Sequence, residues 1–328
     1  MEASVSERIV CLGEALVDLI CPDPVASAAD ARRFEAHPGG ALANVAVAVT
    51  RAGGAAALAG ATGTDPFGLM LRERLQAEGV DTSRMKSLDA LETPYAFVTL
   101  DPDHEPTYRI HGAGIEAGVG AWEGQEGELV DGCAALIVGS NTLVDPRSAA
   151  VTRAVVALAG RRGIPVCFDV NLRAARWGDL NRALAICREV AAGCVLVKCN
   201  RAEATWLTER EGAGAEELAG ALARVGAGEG GGAGGVGGDA SSVAKGGAGA
   251  LGVVTRGAEG AVMGGRIEAN AAAPGVADPY PLGAGDAFMG TLCAGLVATD
   301  WRSEAVVDAL RRATLAGAEA ARTPSALG

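Results

Sequence analysis

Short apolar runs of strand length alternate with helix-length segments along most of this chain, and that alternation limits the fold more than any other feature. Ile9-Val10-Cys11-Leu12 and the runs 56–61, 134–138, 165–168, 194–197 and 251–254 read as buried strands. Amphipathic or Ala-rich helices are expected between several of them, at 66–78, 146–162, 179–192 and 201–224. Buried strands separated by helices require crossover connections. The pattern therefore predicts an α/β fold, a doubly wound and mainly parallel sheet flanked by helices. Functional residues in such sheets gather at the carboxyl ends of the strands. With 328 residues, 49% of them hydrophobic, the chain can bury a large core, and we read it as one domain over 1–328. Aromatic residues make up only 4%, so that core is aliphatic.

Two stretches depart from the rhythm. Residues 93–112, TPYAFVTLDPDHEPTYRIHG, alternate apolar and polar side chains about an Asp-Pro-Asp turn, the pattern of a β-hairpin. Together with residues 16–37 it is expected to form a small β lid, an edge hairpin with no gating role being the alternative. The second stretch, 226–249, is nearly all Gly, Ala and Ser without periodicity and reads as a flexible surface insertion.

Charge and composition exclude several functions. The net charge is −12 and no basic run exceeds a pair, which argues against a nucleic-acid surface and an anionic membrane surface. No long charge-free apolar run suggests a membrane span. The N-terminal residues carry acidic groups and lead straight into a strand, so neither a signal nor a transit peptide is evident and a cytoplasmic protein is expected. The eight cysteines include no CxxC pair and fall in strand or helix patterns, as reduced core thiols do. Three histidines leave little material for a catalytic triad or a His-rich metal site.

The most informative motif is Gly283-Ala284-Gly285-Asp286, which opens an apolar helix. Glycines let successive amide N–H groups converge on one point, and the free donors of a helix's first turn add positive potential there. Such a point suits an anion. A carboxylate at the same place suits the removal of a proton from a hydroxyl that attacks that anion. A plain helix N-cap is the competing role for Asp286.

Other polar residues sit where a sheet of this kind would hold a ligand. Gly39 and Gly40 precede a helix whose Asn44 offers both a donor and an acceptor, and Asp18 lies within GEALVDLI. Asn171 and Arg173 follow a strand in FDVNLR, although an Asx turn would also account for them. Lys198, Asn200 and Glu203 follow another strand, with Asn200 and Glu203 spaced as a capping box. Thr255, Gly257 and Gly260 end a third strand in a glycine-rich turn that a nucleotide could border.

In order and spacing these stretches resemble the ribokinase-like (PfkB) family of sugar kinases across almost the whole chain. Residues 39–68 look like the family's first signature, 283–288 like its second, and Asn200 to Glu203 like its NxxE mark. GEALVDLI, GSNTL, FDVNLRAARW and KCNRAEATWLT look most like fructokinases.

The resemblance implies ATP-dependent phosphorylation of a small sugar, fructose foremost. Asp286 would be the general base, and the Gly283, Ala284 and Gly285 amides the anion hole. Asp18, Gly39, Gly40, Asn44, Arg109, Asn171 and Arg173 would hold the sugar. Lys198, Asn200, Thr255, Gly257 and Gly260 would border ATP, with Glu203 reaching Mg²⁺ through water. A homodimer joined through the lid is a further implication. The run Asp278-Pro279-Tyr280-Pro281-Leu282 replaces the Asp-Thr-Thr type of run usual in the family, whose segment helps hold a monovalent cation, so K⁺ dependence is expected to be weak or altered. Kinases for 2-keto-3-deoxygluconate, ribose or a nucleoside, and a fructokinase-like regulatory protein without turnover, are the alternatives.

Overall fold

In the computed structural model, which describes residues 8–101, 106–229, 249–277, 279–280 and 282–323, strands and helices alternate much as expected. The chain begins with β1 (Arg8–Leu12), β2 (Leu16–Ile20), β3 (Glu35–Gly39) and α1 (Ala41–Arg51), followed by β4 (Ala56–Gly63), α2 (Pro66–Ala77) and β5 (Met85–Leu88). Next come β6 (Tyr95–Leu100), β7 (Pro106–His111), α3 (Ala113–Gly120) and α4 (Glu126–Val130). The regular run β8 (Cys133–Gly139), α5 (Pro146–Arg161), β9 (Val166–Asp169), α6 (Leu180–Ala191) and β10 (Leu196–Asn200) leads to α7 (Arg201–Thr208) and α8 (Ala215–Gly226). The chain closes with β11 (Leu251–Thr255), β12 (Ala261–Gly265), β13 (Ala269–Ala271), α9 (Ala284–Ala298) and α10 (Ser303–Ala320).

Nine strands form one sheet in the order β13-β12-β11-β10-β9-β8-β1-β4-β5. The seven from β11 to β5 run parallel, while β12 and β13 add an antiparallel edge. Both faces are covered. Along β1, Ile9 and Cys11 enter one buried cluster with α1 and α9, while Val10 and Leu12 enter the other with α5 and α8. Several helices start where the sequence supplies a stop and a cap together. Asp65 and Asp145 accept first-turn amides ahead of Pro66 and Pro146, and Asp179 accepts from the amide of Asn181.

The small sheet has the order β3-β2-β6-β7 and contains the expected hairpin, with β2 and β6 parallel at its centre. Leu16, Ala96 and Ile110 on one face pack with Leu282, which immediately precedes the Gly283 turn.

Some boundaries differ from the sequence reading. The single helix expected over 201–224 is two, because Glu209 takes a left-handed conformation at the end of α7 and Gly212 a second one before α8. The strand expected at 194–197 lies at Leu196–Asn200, since Cys194 donates its amide to Ala191 in the turn that leaves α6. The tip of the hairpin at 102–105, and residues 230–248 of the glycine-rich stretch, lie outside the described residues.

Candidate active site

The carboxyl ends of β1, β9, β10 and β11 meet the start of α9 and the inner face of the small sheet around one cleft of about 490 Å³. Asp18, Asn44, Asn171, Arg173, Lys198, Asn200, Glu203, Thr255, Gly257, Gly260 and the four residues 283–286 all line it.

Asp286 is not a helix cap. The cap of α9 is Gly283, left-handed at φ 73° with no side chain to offer, and Asp286 lies three residues into the helix. Its carboxylate turns inward, where Oδ2 accepts from Asn44 Nδ2 at 2.8 Å and Oδ1 from Asn171 Nδ2 at 3.4 Å. The Asn44 contact depends on how closely α1 and α9 approach. A Cβ on Gly290 of α9 would stand 2.5 Å from the carbonyl oxygen of Val45 in α1, so that approach requires glycine. Burial raises the Asp286 carboxyl to about 6, with the charge of Asp169 acting in the same direction. The Asn44 hydrogen bond, Lys198 and Arg173 oppose the rise. A buried carboxylate titrating near neutrality is suited to accepting a proton.

Asp18 stands on β2 and is 9% exposed. Burial and then the Asp286 charge raise it to about 7, against the attraction of Arg173. Gly39, paired across from Leu16, leaves the room its carboxylate occupies, since a Cβ there would lie 2.1 Å from Asp18 Oδ2. Gly40 caps α1 at φ 102°, a conformation few other residues adopt. Arg173 Nη1 donates to Asn171 Oδ1 over 2.6 Å, and its guanidinium lies 4.8 Å from the centre of the Tyr108 ring.

At the ends of β9 and β10, Lys198 forms a buried ion pair with Asp169, donating to both oxygens at 3.0 Å. Burial alone would lower the Lys198 ammonium, but Asp169 and Glu203 outweigh it and hold it above its ordinary value. Asn200 and Glu203 form a complete capping box at the start of α7. The other oxygen of Glu203 accepts the amide of Leu172 at 2.8 Å, which ties α7 to the loop carrying Asn171 and Arg173. Glu203 therefore has a structural task as well as a place on the cleft wall.

The structure does not bring Arg109 to the cleft. On β7 the odd positions are exposed, and Arg109 points away while Tyr108 and Ile110 line the site. The sequence reading also missed Glu14 and Asn141, both buried on the cleft wall. Each follows the carboxyl end of a central strand, β1 and β8, and that position was the signal available for finding them. Pro279 lines the cleft and Tyr280 donates its amide to Ala321, whereas Asp278 and Pro281 lie outside the described residues. Among the described residues no helix is long and apolar enough to cross a membrane.

A doubly wound sheet, a small covering sheet and a glycine turn presenting a buried carboxylate together frame the cleft. The pfkB family of carbohydrate kinases matches over residues 6–231, and the chain belongs to that family. Fructokinase-1 of Oryza sativa subsp. japonica is 34% identical over 204 residues, which is 62% of this chain and 63% of that protein. Fructokinase-1 of Zea mays is likewise 34% identical, over 62% of each chain. These alignments thus span less than two thirds of the curated relatives' length.

Solved structures match over more of the chain. A double mutant of the Vibrio cholerae O395 fructokinase, in its fructose, ADP and potassium ion bound form, superposes with a TM-score of 0.77 at 28% identity. That match covers 100% of this chain and 96% of the other. The aminoimidazole riboside kinase of Salmonella enterica shares the fold, with a TM-score of 0.72 at 24% identity over 98% of this chain and 95% of that one.

Proposed function

We propose that the protein transfers the terminal phosphoryl group of ATP to a hydroxyl of a small sugar, with fructose the favoured acceptor. The observation that carries this reading is the Asp286 carboxylate, buried at the start of α9 in the cleft and raised to about 6. In this reading Asp286 takes the proton as the sugar oxygen attacks, and Asn44 and Asn171 keep the carboxylate aimed. The first-turn amides of α9, which have no intrahelical acceptor, face the charge that develops on the moving group. Asp18 and Asn44 would hold the sugar. Thr255, Gly257 and Gly260 would border ATP in the cleft, whose lining also includes Ala273, Val276 and Ala318.

No three His, Cys, Asp or Glu side chains among the described residues are grouped to hold a metal by themselves. Mg²⁺ carried in on nucleotide phosphates keeps several waters and needs only one or two carboxylates from the protein. Glu203, which lines the cleft, would be the carboxylate that meets its water. When bound, the ion would neutralise phosphate charge. The sequence has Pro279 and Pro281 where the family's usual run has none, and weak or altered K⁺ dependence is the expectation.

An ATP-consumption assay against fructose, ribose, a nucleoside and 2-keto-3-deoxygluconate tests the reading. Turnover greatest with fructose supports it. A preference for another acceptor, or no turnover with any of them, overturns it.

A further inference from the structure

One wall of the cleft is made of acceptors without donors. Glu14, 3% exposed, lies just after β1, and Asn141, 5% exposed, lies in the turn after β8. Asn141 Nδ2 donates to Glu14 Oε1 at 2.8 Å, and Arg176, paired with Glu116, donates to the Asn141 carbonyl. Three further oxygens here are buried with no hydrogen-bond partner among the described residues: Glu14 Oε2, Asn141 Oδ1 and Asn44 Oδ1. The two amide orientations are fixed by chemistry. A carboxylate only accepts, so the NH₂ of Asn141 must face Glu14 and that of Asn44 must face Asp286, which leaves both carbonyl oxygens for the cleft.

Buried acceptors without donors are rare and destabilising, so a cluster of them on a cleft marks where a ligand brings donors. Their sign also says what the ligand lacks. Glu14, Asp18 and Asp286 already place three carboxylates on the cleft, while of its two lining cations Lys198 is paired with Asp169 and the charge of Arg173 already acts on Asp18 and Asp286. A ligand carboxylate against this wall would meet like charge and lone pairs. Neighbouring hydroxyls would satisfy it.

We infer that Glu14 and Asn141 are specificity-determining residues that accept hydrogen bonds from hydroxyls of the acceptor sugar, and that they select a neutral polyhydroxylated sugar over a sugar acid. The inference deepens the proposed phosphorylation and rests on it.

Glu14→Gln is the test, because Gln keeps an acceptor for Asn141 and turns a donor into the cleft. We expect kcat/KM for the neutral sugar to fall roughly 10-fold or more, mostly through KM, with KM for ATP unchanged. A series of monodeoxy sugars supplies a readout that a merely structural role would not move. One analogue should be poorer than the parent sugar for the wild type and equal to it for the variant. The wild type alone gives a second measurement, with turnover of a sugar acid at least ~10²-fold below that of the neutral sugar. Unchanged kcat/KM in the variant across the series, or a wild-type preference for the acid, overturns the inference. If no sugar is turned over, the phosphorylation reading fails by itself. Calorimetric binding of the neutral sugar to wild type and Glu14→Gln then decides the role of Glu14, with equal affinities counting against it.

Discussion

Asn44 Nδ2 donates to Asp286 Oδ2 across 2.8 Å, joining residues 242 positions apart and orienting the carboxylate that the proposed chemistry depends on. The bond uses the asparagine's donor and leaves its carbonyl oxygen facing the cleft. One side chain thus orients the Asp286 carboxylate and presents an acceptor to the cleft.

Replacing Asp286 by Asn removes the base and keeps the shape. Asn44 can reverse its amide to meet the new side chain, and Gly283 rather than Asp286 caps α9, so the fold has little to lose. We expect kcat to fall by roughly 10² or more in steady-state assays. The burial that raises Asp286 to about 6 makes its charge costly above that pH, so the melting temperature at pH 8 should stay level or rise. A variant that keeps most of its kcat would exclude Asp286 as the base.

The pH profile should report the same group. With a folded value of about 6, kcat/KM is expected to climb with pH along a limb centred near there. Asp169 raises Asp286 and Lys198 lowers it, so their neutral replacements should move the limb in opposite directions. Asp169→Asn should shift it to lower pH and Lys198→Met to higher pH. Each variant breaks the same buried ion pair, at about 3–5 kcal/mol of stability, so the direction of the shift separates charge from damage.

Asp18 is buried on β2, and its carboxylate occupies the room left by the absence of a side chain at Gly39. Gly39→Ala should push the carboxylate aside, because the new Cβ would stand 2.1 Å from Oδ2. We expect KM for the sugar to rise roughly 10-fold with little change in melting temperature, since the displaced atom ends a short flexible side chain. Asp18→Asn tests the charge separately. Its folded value, raised to about 7, lies above the unfolded 3.8, so the ionised form destabilises the protein as pH rises through that window. The variant should therefore melt higher than wild type at pH 8 and match it below about pH 4.

Glu203 accepts amides from both Asn200 and Leu172. Glu203→Ala leaves both without that acceptor, and a loss of about 2 kcal/mol or more is expected in chemical denaturation. The loop carrying Asn171 and Arg173 should loosen with it, raising KM for sugar as well as for ATP. A rise confined to ATP would show that Glu203 acts on the nucleotide side alone.

Much of the frame was legible because its signals are local. Asp followed by Pro at 65–66 and 145–146 starts a helix by capping and by fixing φ, whatever surrounds it. The glycines around Ala284 announced the turn that opens α9 for the same reason. The site was legible only as a set of positions at strand ends. Arg109 shows the limit, since alternation along β7 separates Arg109 from Tyr108 while only the docking of the small sheet decides which faces the cleft. Glu14 and Asn141 show it again, because nothing near either residue reveals that the other lies 2.8 Å away.

The sequence by itself determined the order of strands and helices, the capped helix starts and the presence of a carboxylate beside a glycine turn, all of which follow from preferences spanning a few residues. Only the tertiary structure decided that this carboxylate is buried, held by Asn44 and Asn171 and raised toward neutrality. Burial and charge coupling arise from groups brought together across the whole chain, through contacts such as that of α1 with α9 at Gly290, and no local pattern encodes them.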